Sequence, residues 1–165
     1  MPITKNCQTI LGIDPGFAIT GYGVIKKTGN RTETICSGAI TTSTKEEFSD
    51  RLFKIYQGIE KIIKKYKPDI MAVEELFFAK NTKTALKVGQ ARGVAILAGV
   101  KNKLIIKEFT PLQVKQAITG YGFASKNQMQ LMIKLILKLK KTPKPDDVAD
   151  ALSIAVCCGQ TKEFI

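Results

Sequence analysis

The chain has 165 residues, 44% of them hydrophobic, enough for one domain with a continuous core over residues 1–165. It contains no histidine, which excludes His-based triads, zincin motifs and imidazole acid–base catalysis. Its net charge of +12 favours a polyanionic partner, nucleic acid foremost, although general lysine richness is the blander explanation.

Residues 1–8 carry no apolar run of the signal-peptide kind, and no later stretch approaches membrane-spanning length. A cytoplasmic protein without membrane contact is expected. The cysteines agree: Cys7 and Cys36 stand alone and Cys157-Cys158 are adjacent, so no C-x-x-C metal or redox spacing exists. A first strand, Gln8–Ile13, runs into Asp14, and Pro15-Gly16 stop it. Turn chemistry continues in Thr20-Gly21-Tyr22-Gly23. Strands Gly21–Lys27 and Glu33–Thr41 follow, and the Thr28-Gly29-Asn30 reversal between them predicts an antiparallel hairpin.

From Lys45 to Tyr66 apolar residues fall at helical spacing, with Ser43 and Glu46 placed as a capping box. Pro68-Asp69 break the chain before a short apolar strand, Ile70–Val73, which ends in Glu74-Glu75. Thr82–Val100 reads as a helix whose Ala and Gly content predicts close packing. Leu104–Phe109 is a fifth strand, and Thr110-Pro111 open another helix with proline at its first position. A loop at Gly120–Ser125, a helix over Met129–Leu139 and a last helix over Asp146–Cys158 complete the order. The expected architecture is α/β: a mixed five-stranded sheet with helices on its faces.

Three acidic features stand out. Asp14 and one of Glu74 or Glu75 end core strands, and Asp147 and Asp150 share one flank of the last helix. Acids at a helix start also serve as caps and dipole partners, which accounts for Asp146 and in part for Asp147, but less well for Asp150. If the strand ends are neighbours, such carboxylates would repel one another unless cations intervene. Oxygen-only ligands favour Mg²⁺ or Mn²⁺ over zinc. A carboxylate cluster holding two hard cations suits two-metal phosphodiester hydrolysis.

The run Ile10-Leu11-Gly12-Ile13-Asp14-Pro15-Gly16, with Thr20-Gly21-Tyr22-Gly23-Val24-Ile25 after it, resembles the opening of the RuvC family of bacterial Holliday-junction resolvases. The resemblance continues through Ala72–Asn81, Ala85–Ala95 and Val114–Ala117, and closes with Asp147–Ala155. It covers nearly the whole chain, in order. It implies an RNase H-like fold and a metal site of Asp14, Glu74, Asp147 and Asp150, which chooses Glu74 over Glu75. Some relatives carry histidine where this chain has Asp147, leaving an all-carboxylate site here. Two Mg²⁺ per subunit are implied, with Mn²⁺ able to substitute. Also implied is a homodimer that nicks opposed strands of four-way junction DNA, leaving 5′-phosphate and 3′-hydroxyl ends, beside a branch-migration helicase of the RuvA and RuvB type.

By the same resemblance Phe77 inserts beside junction bases, its other reading being a core residue next to Phe78. Lys115 and Lys126 match DNA-contacting positions, their other reading being a solvated face. Two further functions stay open. A junction-binding protein without catalysis would share the charge, although all four acids are present. An actin-like ATPase has a turn similar to Ile13-Asp14-Pro15-Gly16, but needs a duplicated domain and a second phosphate loop that this length does not supply.

Overall fold

A computed structural model describes residues 7–76 and 82–161. Strand β1 (Cys7–Asp14) pairs antiparallel with β2 (Ile19–Thr28), which pairs antiparallel with β3 (Arg31–Thr41). Helix α1 (Phe48–Tyr66) leads to β4 (Ile70–Glu74), and α2 (Thr82–Lys101) leads to β5 (Ile105–Phe109). Both later strands are parallel to β1, giving the sheet order β3-β2-β1-β4-β5. Helices α3 (Pro111–Thr119), α4 (Lys126–Ile136) and α5 (Asp146–Gln160) follow. The mixed five-stranded sheet is the expected one.

Strand alternation divides the apolar residues between two cores. Leu11, Ile13, Met71 and Val73 pack with Ile55 and Ile59 of α1 and with Ala91, Ala95 and Ala98 of α2. Ile10, Ile70 and Ala72 face the other way, against Val114, Ile133, Leu152 and Ala155 of α3, α4 and α5. Helices therefore cover both faces. The small residues of α2 are only partly a packing device, since the three alanines are buried while Gly93 faces open space.

Several boundaries differ from the sequence reading, each for a local reason. Helix α1 begins at Phe48 rather than Lys45. Ser43 and Glu46 do bond, the Ser43 N–H to the Glu46 carboxylate and the Lys45 N–H to Ser43 Oγ at 3.2 Å. These bonds close a separate turn, and Glu47 is extended before the helix starts. Helix α4 begins at Lys126 rather than Met129 because Ser125 and Gln128 form a capping box. It ends at Ile136, ahead of Lys138 with φ of 52°. Gly21-Tyr22-Gly23 is not a turn but the start of β2, paired on both sides. Helix α5 has more than one apolar stripe: Val148, Ala149 and every residue from Ala151 to Cys158 are buried, as befits the central helix on its face. Among the described residues, no helix is long and apolar enough to cross a membrane.

Candidate active site

The ends of two parallel strands meet the first turns of one helix. Ile13 lies opposite Val73, so Asp14 and Glu74, the next residues along, end β1 and β4 side by side on backbones roughly 5 Å apart. Alternation turns both toward the face that α5 covers, with Gly12 and Ala72 two residues before them. Glu75 lies past the strand end and is out of phase, its N–H donating to the Phe109 carbonyl at 2.8 Å. Register thus separates two adjacent glutamates that composition leaves equivalent.

Missing side chains let α5 come this close. A Cβ on Gly12 would lie 2.8 Å from the Ala155 nitrogen, and one on Gly21 would lie 3.0 Å from Asp147 Cβ and overlap the Asp147 carbonyl. Gly21 is the ladder partner of Asp14. The N-terminal turn of α5 is therefore pressed against the strand pair beside the first acid. The chain leaves Asp14 through a tied turn, in which the Thr20 hydroxyl donates to the Gly16 carbonyl at 2.6 Å. The Thr42 hydroxyl donates to the Phe17 carbonyl at 2.6 Å.

Electrostatics records the convergence. Burial, then the neighbouring charges of Asp150, Glu74 and Asp147, push the Asp14 carboxyl up to about 8, against the pull of Lys126. Burial and Asp150 raise Glu74 while Lys115 opposes them. Burial raises Asp150 as well, with Lys126 opposing and Asp147 and Asp146 adding to it. Acids raised by burial and by neighbouring carboxylates cluster at functional sites.

Glu74 and Asp150 line one cleft of about 260 Å³ together with Lys115 and Lys126. Asp147 lines a neighbouring cleft of about 420 Å³ with Lys83 and Lys87. Asp14 lines neither cleft, and among the described residues no three His, Cys, Asp or Glu side chains are grouped so as to hold a metal ion. The donors that face the cleft are carboxylate oxygens, the ligand class of hard divalent cations.

Helix capping does not explain the acids of α5. Its N-cap is Pro145, with no side-chain cap bond. Asp146 instead accepts from Gln130 Nε2 at 2.9 Å and pairs with Lys126 and Lys144, each at 3.1 Å. Those partners hold its carboxyl down at about 2, in contrast to Asp14 and Asp150. Phe77 lies outside the described residues. Arg92 lies within the Ala85–Ala95 resemblance without a role of its own there, yet its Nε donates to the Glu74 carbonyl at 2.9 Å and its guanidinium pairs with Glu108 of β5. It anchors the end of the strand that carries Glu74.

Comparison with known proteins agrees with this geometry. Residues 10–158 match the family model described as Crossover junction endodeoxyribonuclease RuvC. Curated relatives of that name include one from Ruminiclostridium cellulolyticum, 57% identical over 92% of each chain. Another, from Desulforamulus reducens, is 58% identical over 92% of this chain and 93% of its own. A structure of T. thermophilus RuvC in complex with Holliday junction substrate superposes with a TM-score of 0.87 at 34% identity, covering 91% of this chain and 92% of that one. The yeast mitochondrial Holliday junction resolvase Ydc2 shares the fold, with a TM-score of 0.68 at 16% identity over 91% of this chain and 77% of that one. A strand-end acid pair, a glycine-seated helix bearing two more acids, and a family match that runs through all of them lead to one conclusion: the chain belongs to the RuvC family of crossover junction endodeoxyribonucleases.

Proposed function

We propose that this chain resolves Holliday junctions in DNA recombination and repair, by paired symmetric nicks that leave 5′-phosphate and 3′-hydroxyl ends. Family membership makes it a nuclease. One observation carries the finer reading: Asp14 of β1 is raised by the nearby carboxylates of β4 and α5, two of which, Glu74 and Asp150, line a cleft that also holds Lys115 and Lys126. Asp14, Glu74, Asp147 and Asp150 would hold two Mg²⁺, or Mn²⁺ in their place. The fit rests on the donor set and on its charge, since all-oxygen ligands suit these ions and the crowded carboxylates need positive charge to stay ionised. When bound, such ions supply Lewis acidity to an attacking water and to the departing 3′ oxygen.

The chain's own residues do the rest. Lys115 and Lys126 draw a phosphate into the cleft while their charge opposes protonation of Glu74 and Asp150. Arg92 and the glycine-seated α5 hold the acids in register. Nicking two opposed strands requires a homodimer with two such sites. Action in the cytoplasm beside a helicase of the RuvA and RuvB type belongs to the same reading. Phe77, three residues after Glu74 in the sequence, is proposed to insert beside the junction bases.

The test is a labelled four-way junction incubated with Mg²⁺ and protein. Asp14→Asn, Glu74→Gln, Asp147→Asn and Asp150→Asn should each abolish nicking while junction affinity survives. Junction binding by the unaltered protein without nicks, across divalent ions and salt, would leave a non-catalytic junction-binding protein instead.

A further inference from the structure

The loop joining α3 to α4 exposes two aromatic rings beside the lysines of the acid cleft. Tyr121 is 58% and Phe123 78% exposed, and their rings meet edge to face with centroids 5.8 Å apart. Water is a poor environment for such a pair, and the loop is built to hold it outward. Gly120 closes α3 in the left-handed region, with φ of 73°. The Tyr121 N–H donates to Thr119 Oγ1 at 3.1 Å, and the Ala124 N–H donates to the Tyr121 carbonyl at 3.2 Å. Ala124 itself is buried in the core, and Ser125 caps α4. Both ends of the loop are thus pinned, so the rings face solvent on a fixed support.

Lys115 lies on the helix before the loop, and Lys126 is the first residue of the helix after it. Phe123 is three residues from Lys126, a backbone reach of at most about 11 Å. That is roughly three nucleotide steps of 3.4 Å along a strand. We infer that Tyr121 and Phe123 form a stacking platform for a base of the DNA strand whose phosphate the cleft lysines hold. The inference deepens the junction-nuclease reading and rests on it. Charge selects the occupant: a strand carrying phosphates satisfies the lysines, and its bases offer flat apolar faces to the rings. Aromatic–base stacking is tolerant of sequence, so the platform would add affinity without choosing a base.

Anisotropy of a fluorescent four-way junction in Ca²⁺, followed across salt concentration, tests it with the full chain alone. Phe123→Ala should weaken binding on the order of 10-fold. The salt slope should stay unchanged, because no phosphate contact is lost. Phe123→Trp should restore affinity, and Leu135→Ala, removing another exposed apolar side chain, should do nothing. A 2-aminopurine placed up to three nucleotides from the scissile phosphate should change fluorescence on binding with the native protein but not with Phe123→Ala. Equal affinity of Phe123→Ala, Tyr121→Ala and the native protein overturns the platform alone and leaves the rings to a protein partner. Failure of the native protein to bind the junction overturns the junction reading together with the platform.

Discussion

Gly21 and Asp147 are in contact through the absence of a side chain, since a Cβ at Gly21 would overlap the Asp147 carbonyl. Because Gly21 pairs with Asp14, the contact sets how near the acids of α5 come to the acid of β1. Gly21→Ala should lift the first turn of α5, cost about 1–3 kcal/mol of stability as overpacking does, and depress nicking more than junction binding. Gly93→Ala is the contrast. It lies in the interior of α2 facing open space, so alanine there should stabilise by about 0.5–1 kcal/mol. Chemical unfolding curves and nicking assays on the two variants check both halves; equal behaviour would remove the seating role from Gly21.

Arg92 ties α2 to two strands at once, through the Glu74 carbonyl and the Glu108 carboxylate. A lysine has one donor group on a flexible stem and cannot keep the forked geometry. Arg92→Lys and Arg92→Ala should both lower the nicking rate with junction affinity retained. The alanine variant should also lose about 1–3 kcal/mol of stability, the usual cost of deleting a charged hydrogen-bonding partner. Single-turnover nicking at saturating protein separates the rate from binding. An unchanged rate in both variants would show that the end of β4 holds its place unaided.

What the sequence made legible follows from how local each cue is. The apolar run of β1 and the helical period of α1 are carried by neighbours in the chain, and both elements formed, α1 starting three residues later than its period suggests. The acids Asp14, Asp147 and Asp150 were visible because carboxylates at the ends of apolar runs stand out. Glu74 was not separable from Glu75 by composition, because the difference lies in the β1–β4 register. Gly21 looked like a turn residue because glycine marks both turns and close approaches, and only the packing of α5 tells them apart. Arg92 fell in a matched segment but gave no clue to its role, because its partners are a carbonyl and a carboxylate 18 and 16 residues away. The capping boxes at Thr110 and Ser125 were readable in retrospect, each with glutamine three residues on.

Away from the cleft, Glu60 of α1 is bound by Lys101 Nζ of α2 at 3.0 Å, by the Tyr56 hydroxyl at 2.9 Å and by Lys64 at 3.1 Å. Those three donors, Lys101 first, hold its carboxyl at about 2, against an ordinary 4.5. A carboxyl depressed in the folded state adds stability above its unfolded value and loses it as pH falls through the folded one. Glu60→Gln should therefore be less stable than the native chain at pH 6, with the two converging as pH falls from about 4.5 toward 2. Urea midpoints across that range are the measurement; a constant gap would mean the carboxylate contributes by packing rather than charge.

Lys126 reaches two acids of α5. Its ammonium lies 3.1 Å from Asp146 and 3.9 Å from Asp150, and the bond to Asp146, opposed by burial, raises its own pKa. The two side chains are equally exposed, at 38% and 39%, but Asp146 is held by three partners, whereas Asp150 lines the cleft. Asp146→Asn should thus keep nicking, while Asp150→Asn abolishes it, although both remove one negative charge beside Lys126. Lys126→Ala breaks an exposed pair worth about 0–1 kcal/mol, so stability should barely move. Junction affinity should fall, with the salt slope reduced by about 1 for the lost phosphate contact. Lys115→Ala should act in the same direction. Loss of nicking in Asp146→Asn would mean that the metal-facing set on α5 is wrongly divided. An unaltered salt slope in both lysine variants would mean that neither ammonium meets a phosphate.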